Sequence, residues 1–176
     1  MRRAAVLFTM AVVIIWAPIV VSTPLIDAYN AALPGAGYDK MVVLDPGVTY
    51  TGGLNIIEGN VCIISYGAEI DLQGGQIIID PAAILDICGV VIDNGVNNDQ
   101  ALKYGTGGRG WVDHCTFYNN YNSVYFWDDA DMVLTSNIFS YATHYGVYTH
   151  TDAVRWMAFN DAYHNISGHY KEWCPG

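Results

Sequence analysis

From Met41 onward, short runs of β-branched and aromatic residues alternate with turns rich in Gly, Asn and Asp. Apolar residues never hold helical spacing for a useful length there, so the pattern predicts many short strands. The runs recur. VDHCTFYNNYNSVYFWDDA begins at Val112, LTSNIFSYATHYGVYTHTDA at Leu134 and WMAFNDAYHNISGHYKEWC at Trp156, steps of 22 and 22 residues. In that alignment Phe117 falls on Phe139, Val124-Tyr125 on Val147-Tyr148, and Gly146 on Gly168. ICGVVIDNG, from Ile87, fits the same template with Ile92 at the Phe117 position, and a longer loop at 95–110 follows it. Within that loop YGTGGRG (Tyr104–Gly110) reads as a flexible excursion; it lacks the Lys-Ser/Thr ending of a phosphate loop. Copies beginning at Val61 and Met41 complete the series.

A repeat this short cannot bury its own apolar face, so the copies must stack and share a core. Leucine-rich repeats compete at similar length, but the Leu spacing and the helical half are missing. The expectation is an all-β parallel β-helix of about six coils, spanning 41–176, with residues one repeat apart becoming neighbours about 4.8 Å apart. Open solenoid ends need covers. TPLIDAYNAALPGAG, within 23–40, predicts a capping helix and linker: Thr23 as cap, Pro24 at the first helical position, Pro34-Gly35 as terminator. Its apolar stripe reads Leu25, Ile26, Tyr29 and Leu33. Nothing comparable stands at the other end, which suggests a missing C-terminal part or end-to-end self-association.

Residues 1–22 read as an address. Arg2 and Arg3 precede an uncharged stretch from Ala4 to Val21, with small residues before Thr23. That is a secretory signal or, because the run is long, an N-terminal anchor. Both readings put the remainder outside the cytoplasm, secreted or at the cell surface. With 7 basic against 17 acidic residues, the chain carries a formal charge of -10, which argues against nucleic acid as a partner. The four cysteines show neither disulfide-scaffold spacing nor CxxC, and read as small buried hydrophobes.

The entry LIDAYNAALPG…MVVLDPGVTYTGGLNI resembles that of pectin-lyase-like right-handed β-helix proteins, through Ala28, Ala31, Ala32, Pro34, Gly35, Val43, Leu44, Pro46, Gly47 and Tyr50. The resemblance implies a right-handed coil. It does not imply one chemistry, since the superfamily includes lyases, glycosidases, esterases, epimerases and non-catalytic surface proteins.

Stacking the repeats predicts Val124, Phe126, Val147 and Thr149 inward, and three outward columns: Tyr125, Tyr148 and Tyr170; Trp127, His150 and Glu172; Asp129 and Asp152. Aromatic rings beside carboxylates and imidazoles suit a polysaccharide or cell-surface glycan, so Tyr125, Trp127, Tyr148, Tyr170 and Asp152 are the expected substrate-binding residues. If the protein is an enzyme, a glycoside hydrolase or polysaccharide lyase, then Asp128, Asp129 and His150 are the catalytic candidates. Asp128-Asp129 is similar to the pair of polygalacturonase-type glycosidases. The supporting Gly-His-Gly and Arg-x-Lys motifs are broken here, at His144-Tyr145-Gly146 and Arg155. Asp129, Asp131 and Asp152 form a candidate calcium site, because clustered carboxylates need a cation to relieve repulsion. Tyr ladders that merely coat a non-catalytic structural or adhesive module are the alternative. Asn165-Ile166-Ser167 is the sole glycosylation sequon.

Overall fold

The structure, a computed structural model, describes residues 22–95, 99–150, 154–171 and 174. The 1–21 segment, Asp152 and Glu172 lie outside them, so the address segment and those two side chains are not placed. Among the described residues no helix is long and apolar enough to cross a membrane.

The chain winds into six coils of a parallel β-helix with three strand-bearing faces. The first face stacks Tyr38–Val43, the first half of Gly59–Asp71, the first half of Ala83–Asp93, Arg109–Asp113, Asp131–Thr135 and Val154–Ala158. The second stacks Thr49–Thr51, the second halves of the two long strands, Thr116–Tyr118, Ile138–Ser140 and Asp161–Tyr163. The third stacks Leu54–Ile56, Ile77–Ile79, Gln100–Tyr104, Asn122–Phe126, Tyr145–Thr149 and Gly168–Tyr170. Gln100–Tyr104 thus belongs to the third face, and Tyr104 is fully buried. The loop expected over 95–110 is shorter than its Gly content implied, because an apolar alternation within it (Ala101, Leu102, Tyr104) finds the core.

Alternation fixes which side of each strand faces inward, and stacking turns those residues into columns. Val42, Ile63, Ile87, Val112, Leu134 and Met157 align on the first face. Tyr50, Ile70, Ile92, Phe117, Phe139 and Ala162 align on the second. Ile56, Ile79, Tyr104, Phe126 and Thr149 align on the third. Phe117 and Phe139 stack at 5.2 Å between centroids. The buried Tyr104 hydroxyl donates to the Leu85 carbonyl at 2.9 Å, which removes the penalty of an unpaired polar group.

At the corners, asparagine side chains replace strand hydrogen bonds. Asn137 accepts from the Cys115 N–H at 2.9 Å and donates to the Val112 carbonyl at 2.8 Å and to Asn160 Oδ1 at 2.9 Å. Asn160 repeats the pattern one coil on, donating to the Leu134 carbonyl and accepting from the Asn137 N–H. At the next corner Asn165 accepts from the Ala142 N–H and donates to the Phe139 carbonyl. The sequon asparagine is therefore buried and committed to the fold.

Two local expectations need correction. The helix runs Leu25–Ala31 with Pro24 as N-cap, while Thr23 sits in the strand Ser22–Pro24, paired with Thr49–Thr51. The helix packs Leu25, Ala28, Tyr29 and Ala32 on the core, the true i, i+3, i+4, i+7 stripe; Ile26 and Leu33 are exposed. In the last coil a bulge inserts one residue: Met132 opposes Val154, but Val133 opposes Trp156. From there every partner shifts by one, so Leu134 opposes Met157, Tyr145 opposes Gly168 and Val147 opposes Tyr170.

Candidate functional site

The third face builds an aromatic patch around two adjacent strands, Asn122–Phe126 and Tyr145–Thr149. Val124, Phe126, Val147 and Thr149 are buried beneath it, so the intervening tyrosines point outward. Tyr125 and Tyr148 oppose each other in the ladder and stack at 5.1 Å, 17° from parallel. Trp127 meets Tyr125 edge-on at 5.6 Å and lies 4.7 Å from the His150 ring. Tyr145 packs edge-on against Tyr148 at 5.4 Å. His144, stacked on Tyr121 at 4.8 Å, closes the other flank.

Tyr125, only 7% exposed, is the floor of this patch; Tyr145, Tyr148 and Trp127 form its half-exposed surface. Burial pushes the Tyr125 hydroxyl up, with Tyr148, Asp128 and Asp99 adding to the effect. Buried Asn122 Oδ1 accepts from the Tyr145 N–H at 3.1 Å and lies 2.9 Å from His144 Nδ1, so that ring nitrogen must carry a proton. Burial first, and Lys171 second, push His144 below its ordinary value, keeping it neutral near pH 7. On the exposed rim His150 Nδ1 and Asp128 Oδ1 meet at 3.0 Å across adjacent coils.

Of the expected site residues, the structure brings together Tyr125, Trp127, Tyr148, Asp128 and His150. Asp129 sits apart at an exposed corner with φ 58°, and Asp131 begins the next first-face strand. Asp152 lies outside the described residues. Tyr170 does not belong to the outward column: the bulge turns it inward opposite Val147, half-buried against the core. Lys171 takes the outward place, its ammonium 5.4 Å from the Tyr148 ring centre and 5.7 Å from that of Tyr145. Lys103, opposite Tyr125 on the other side, continues the same column, with Ile78 and Asn55 in the coils before it. Tyr145, His144 and Lys171 are the members that sequence reading missed. The last coil repeats the 23-residue step that separates Val124 from Val147, which carries Tyr148 onto Lys171.

A second cluster lies at the corner between the first and second faces. Cys88 and Asp113 oppose each other in adjacent coils, and His114 follows at the corner with φ 49°. Their sulfur, carboxylate and imidazole donor atoms lie within 4.8 Å of one another. Among the described residues they are the one such group of three metal-ligating side chains; Asp129 and Asp131 do not join one. The cluster ends a groove of about 680 Å³ flanked by Tyr66, Val90 and Val91. The four cysteines are free thiols, Cys62 and Cys115 buried and Cys88 and Cys174 partly so. Burial, and then Asp113, push the Cys88 thiol up, so without a cation it is a poor nucleophile.

Comparison of the chain with protein families, with curated proteins and with solved structures finds no match, so any functional reading rests on this geometry and on the residues that build it.

Proposed function

We propose that this is an extracytoplasmic β-helix protein, related to the pectin-lyase-like superfamily, that binds polysaccharide on the third face. The observation that carries the reading is the continuous ring surface of Trp127, Tyr148 and Tyr145, laid over Tyr125 and edged by the Asp128–His150 pair and Lys171. Half-exposed rings offer flat apolar area to the C–H faces of a sugar, at little conformational cost because their neighbours already fix them. The polar rim supplies donors and acceptors for hydroxyls. Lys171 adds one cation, which suits a substrate carrying an occasional carboxylate in a chain of net charge -10. Processing of the glycan by Asp128 and His150, and calcium bridging a uronate substrate to this acidic chain, extend the same proposal.

The test is a titration of the purified chain with neutral and uronate oligosaccharides, with and without calcium, followed by Trp fluorescence. Binding that weakens at least tenfold in Trp127→Ala and in Tyr148→Ala supports the reading. Absence of a response to every glycan would overturn it. New reducing ends, or absorbance from a C4–C5 double bond, would establish processing.

A non-catalytic surface module is the second reading, and one observation favours it. The outward rings already satisfy one another, Tyr125 stacking on Tyr148 at 5.1 Å and Trp127 packing on both Tyr125 and His150, as rings that only coat the coil would. Concentration-dependent end-to-end association in sedimentation, with no glycan response, is its signature.

A further inference from the structure

We infer that Cys88, Asp113 and His114 form a mononuclear zinc-class metal site, open toward the groove at the corner of the first and second faces.

The fold itself makes the site. Cys88 and Asp113 lie 25 residues apart in sequence yet oppose each other on neighbouring coils, about 4.8 Å apart along the stack. Both belong to the outward column that contains Ile64 before them and Thr135 after them. His114, the next residue, turns over the corner. Gly67 and Gly89, in the preceding coils and both at positive φ, line the groove without side chains of their own and so leave room beside His114. Gly89 has no room for anything larger: a Cβ there would stand 2.1 Å from the Ser65 carbonyl oxygen.

The carboxylate is held in place before any ion arrives. Trp111 Nε1 donates to Thr135 Oγ1 at 2.8 Å, and Thr135 donates to Asp113 Oδ1 at 2.5 Å. Asp113 Oδ2 faces His114 Nδ1 at 2.8 Å. Such outer hydrogen bonds are what orient metal-ligating carboxylates. Two ligands on a tetrahedral ion, each about 2.05 Å from it, are separated by about 3.4 Å. The His114 side chain, 67% exposed, can open by that half ångström or so without disturbing the core.

The donor set selects the metal. A thiolate and an imidazole beside one carboxylate suit zinc and its neighbours, whereas calcium and magnesium require oxygen ligands throughout. Three protein ligands leave the fourth position to water or to an anionic oxygen entering along the groove, the arrangement of reactive rather than purely structural zinc sites. This site lies on a different face from the aromatic patch, and does not depend on the glycan reading.

Cobalt(II) titration of the full reduced chain, without oxygen, tests the inference. The expected result is one equivalent bound, with visible bands of tetrahedral intensity and a near-ultraviolet thiolate-to-cobalt band, both removed by added zinc. Cys88→Ser should abolish the near-ultraviolet band, and His114→Ala should weaken zinc binding at least tenfold, with far-ultraviolet circular dichroism unchanged in each. Cys62→Ser should leave the spectrum as it is. A chain that binds no cobalt, a thiolate band that survives Cys88→Ser, or one lost with Cys62→Ser would overturn the assignment. Glycan titration of Cys88→Ser separates this outcome from the proposed function, because that variant leaves the third face intact.

Discussion

Replacing Asn137 with Ala is the sharpest probe of the stacked-coil architecture. The side chain is 1% exposed and joins three coils: it accepts from Cys115, and donates to Val112 and Asn160. Truncation leaves the Cys115 N–H and the Val112 carbonyl unpaired in a corner closed by the coils above and below. A buried polar group left unpaired costs about 1–3 kcal/mol, so two of them give about 2–6 kcal/mol, with a small cavity term in addition. The same substitution at Asn160 removes a similar pattern from a half-buried position, where water can replace the lost partner, and should cost about 1 kcal/mol. Urea unfolding followed by circular dichroism reads both; the midpoint should fall with the slope unchanged. A cost for Asn137→Ala below about 1 kcal/mol, or equal costs at the two positions, would refute the reasoning, because nothing but burial between coils distinguishes them.

Two further outcomes follow from the same geometry. Asp93, stacked on Asp71 and near Glu69, has its carboxyl pushed up to about 6, by burial first and by those two carboxylates next. The folded state therefore holds a proton that the unfolded chain, with a carboxyl near the ordinary value of about 3.9, has already lost. This site's contribution to stability is complete below pH 4 and lost as pH rises through 6. Partial exposure limits the loss to about 1 kcal/mol, and Asp93→Asn should remove that step and be the more stable protein at pH 8 in paired urea titrations. Gly89→Ala should destabilise by about 3 kcal/mol or more in thermal unfolding, through collision with the Ser65 carbonyl and a φ of 70° together; a loss under about 1 kcal/mol would mean that the corner relaxes freely.

The parts of this molecule that were legible in the sequence are those that depend on strand parity. Alternation along SVYFW and GVYTH decides inward from outward without any knowledge of neighbouring coils, which is why the Tyr125–Tyr148 and Trp127–His150 pairs were recoverable. Anything that depends on coil length was not. A coil takes 21 residues between Lys40 and Val61 but 25 between Leu85 and Gly110, and corners absorb the difference with left-handed residues as unlike as Gly89, His114, Ser136 and Phe159. Because a left-handed corner costs a non-glycine residue only about 1–2 kcal/mol, the tertiary stack can impose it on almost any side chain, and the sequence carries no mark of where it falls. One unmarked residue, inserted between Val154 and Trp156, was enough to turn Tyr170 into the core and put Lys171 on the face. The same uncertainty hid the Cys88–Asp113–His114 cluster, whose members belong to coils joined by the longest step. In a solenoid, then, the chemistry that parity places within one coil can be read locally, while chemistry assembled between coils becomes visible only when the register of every corner is known.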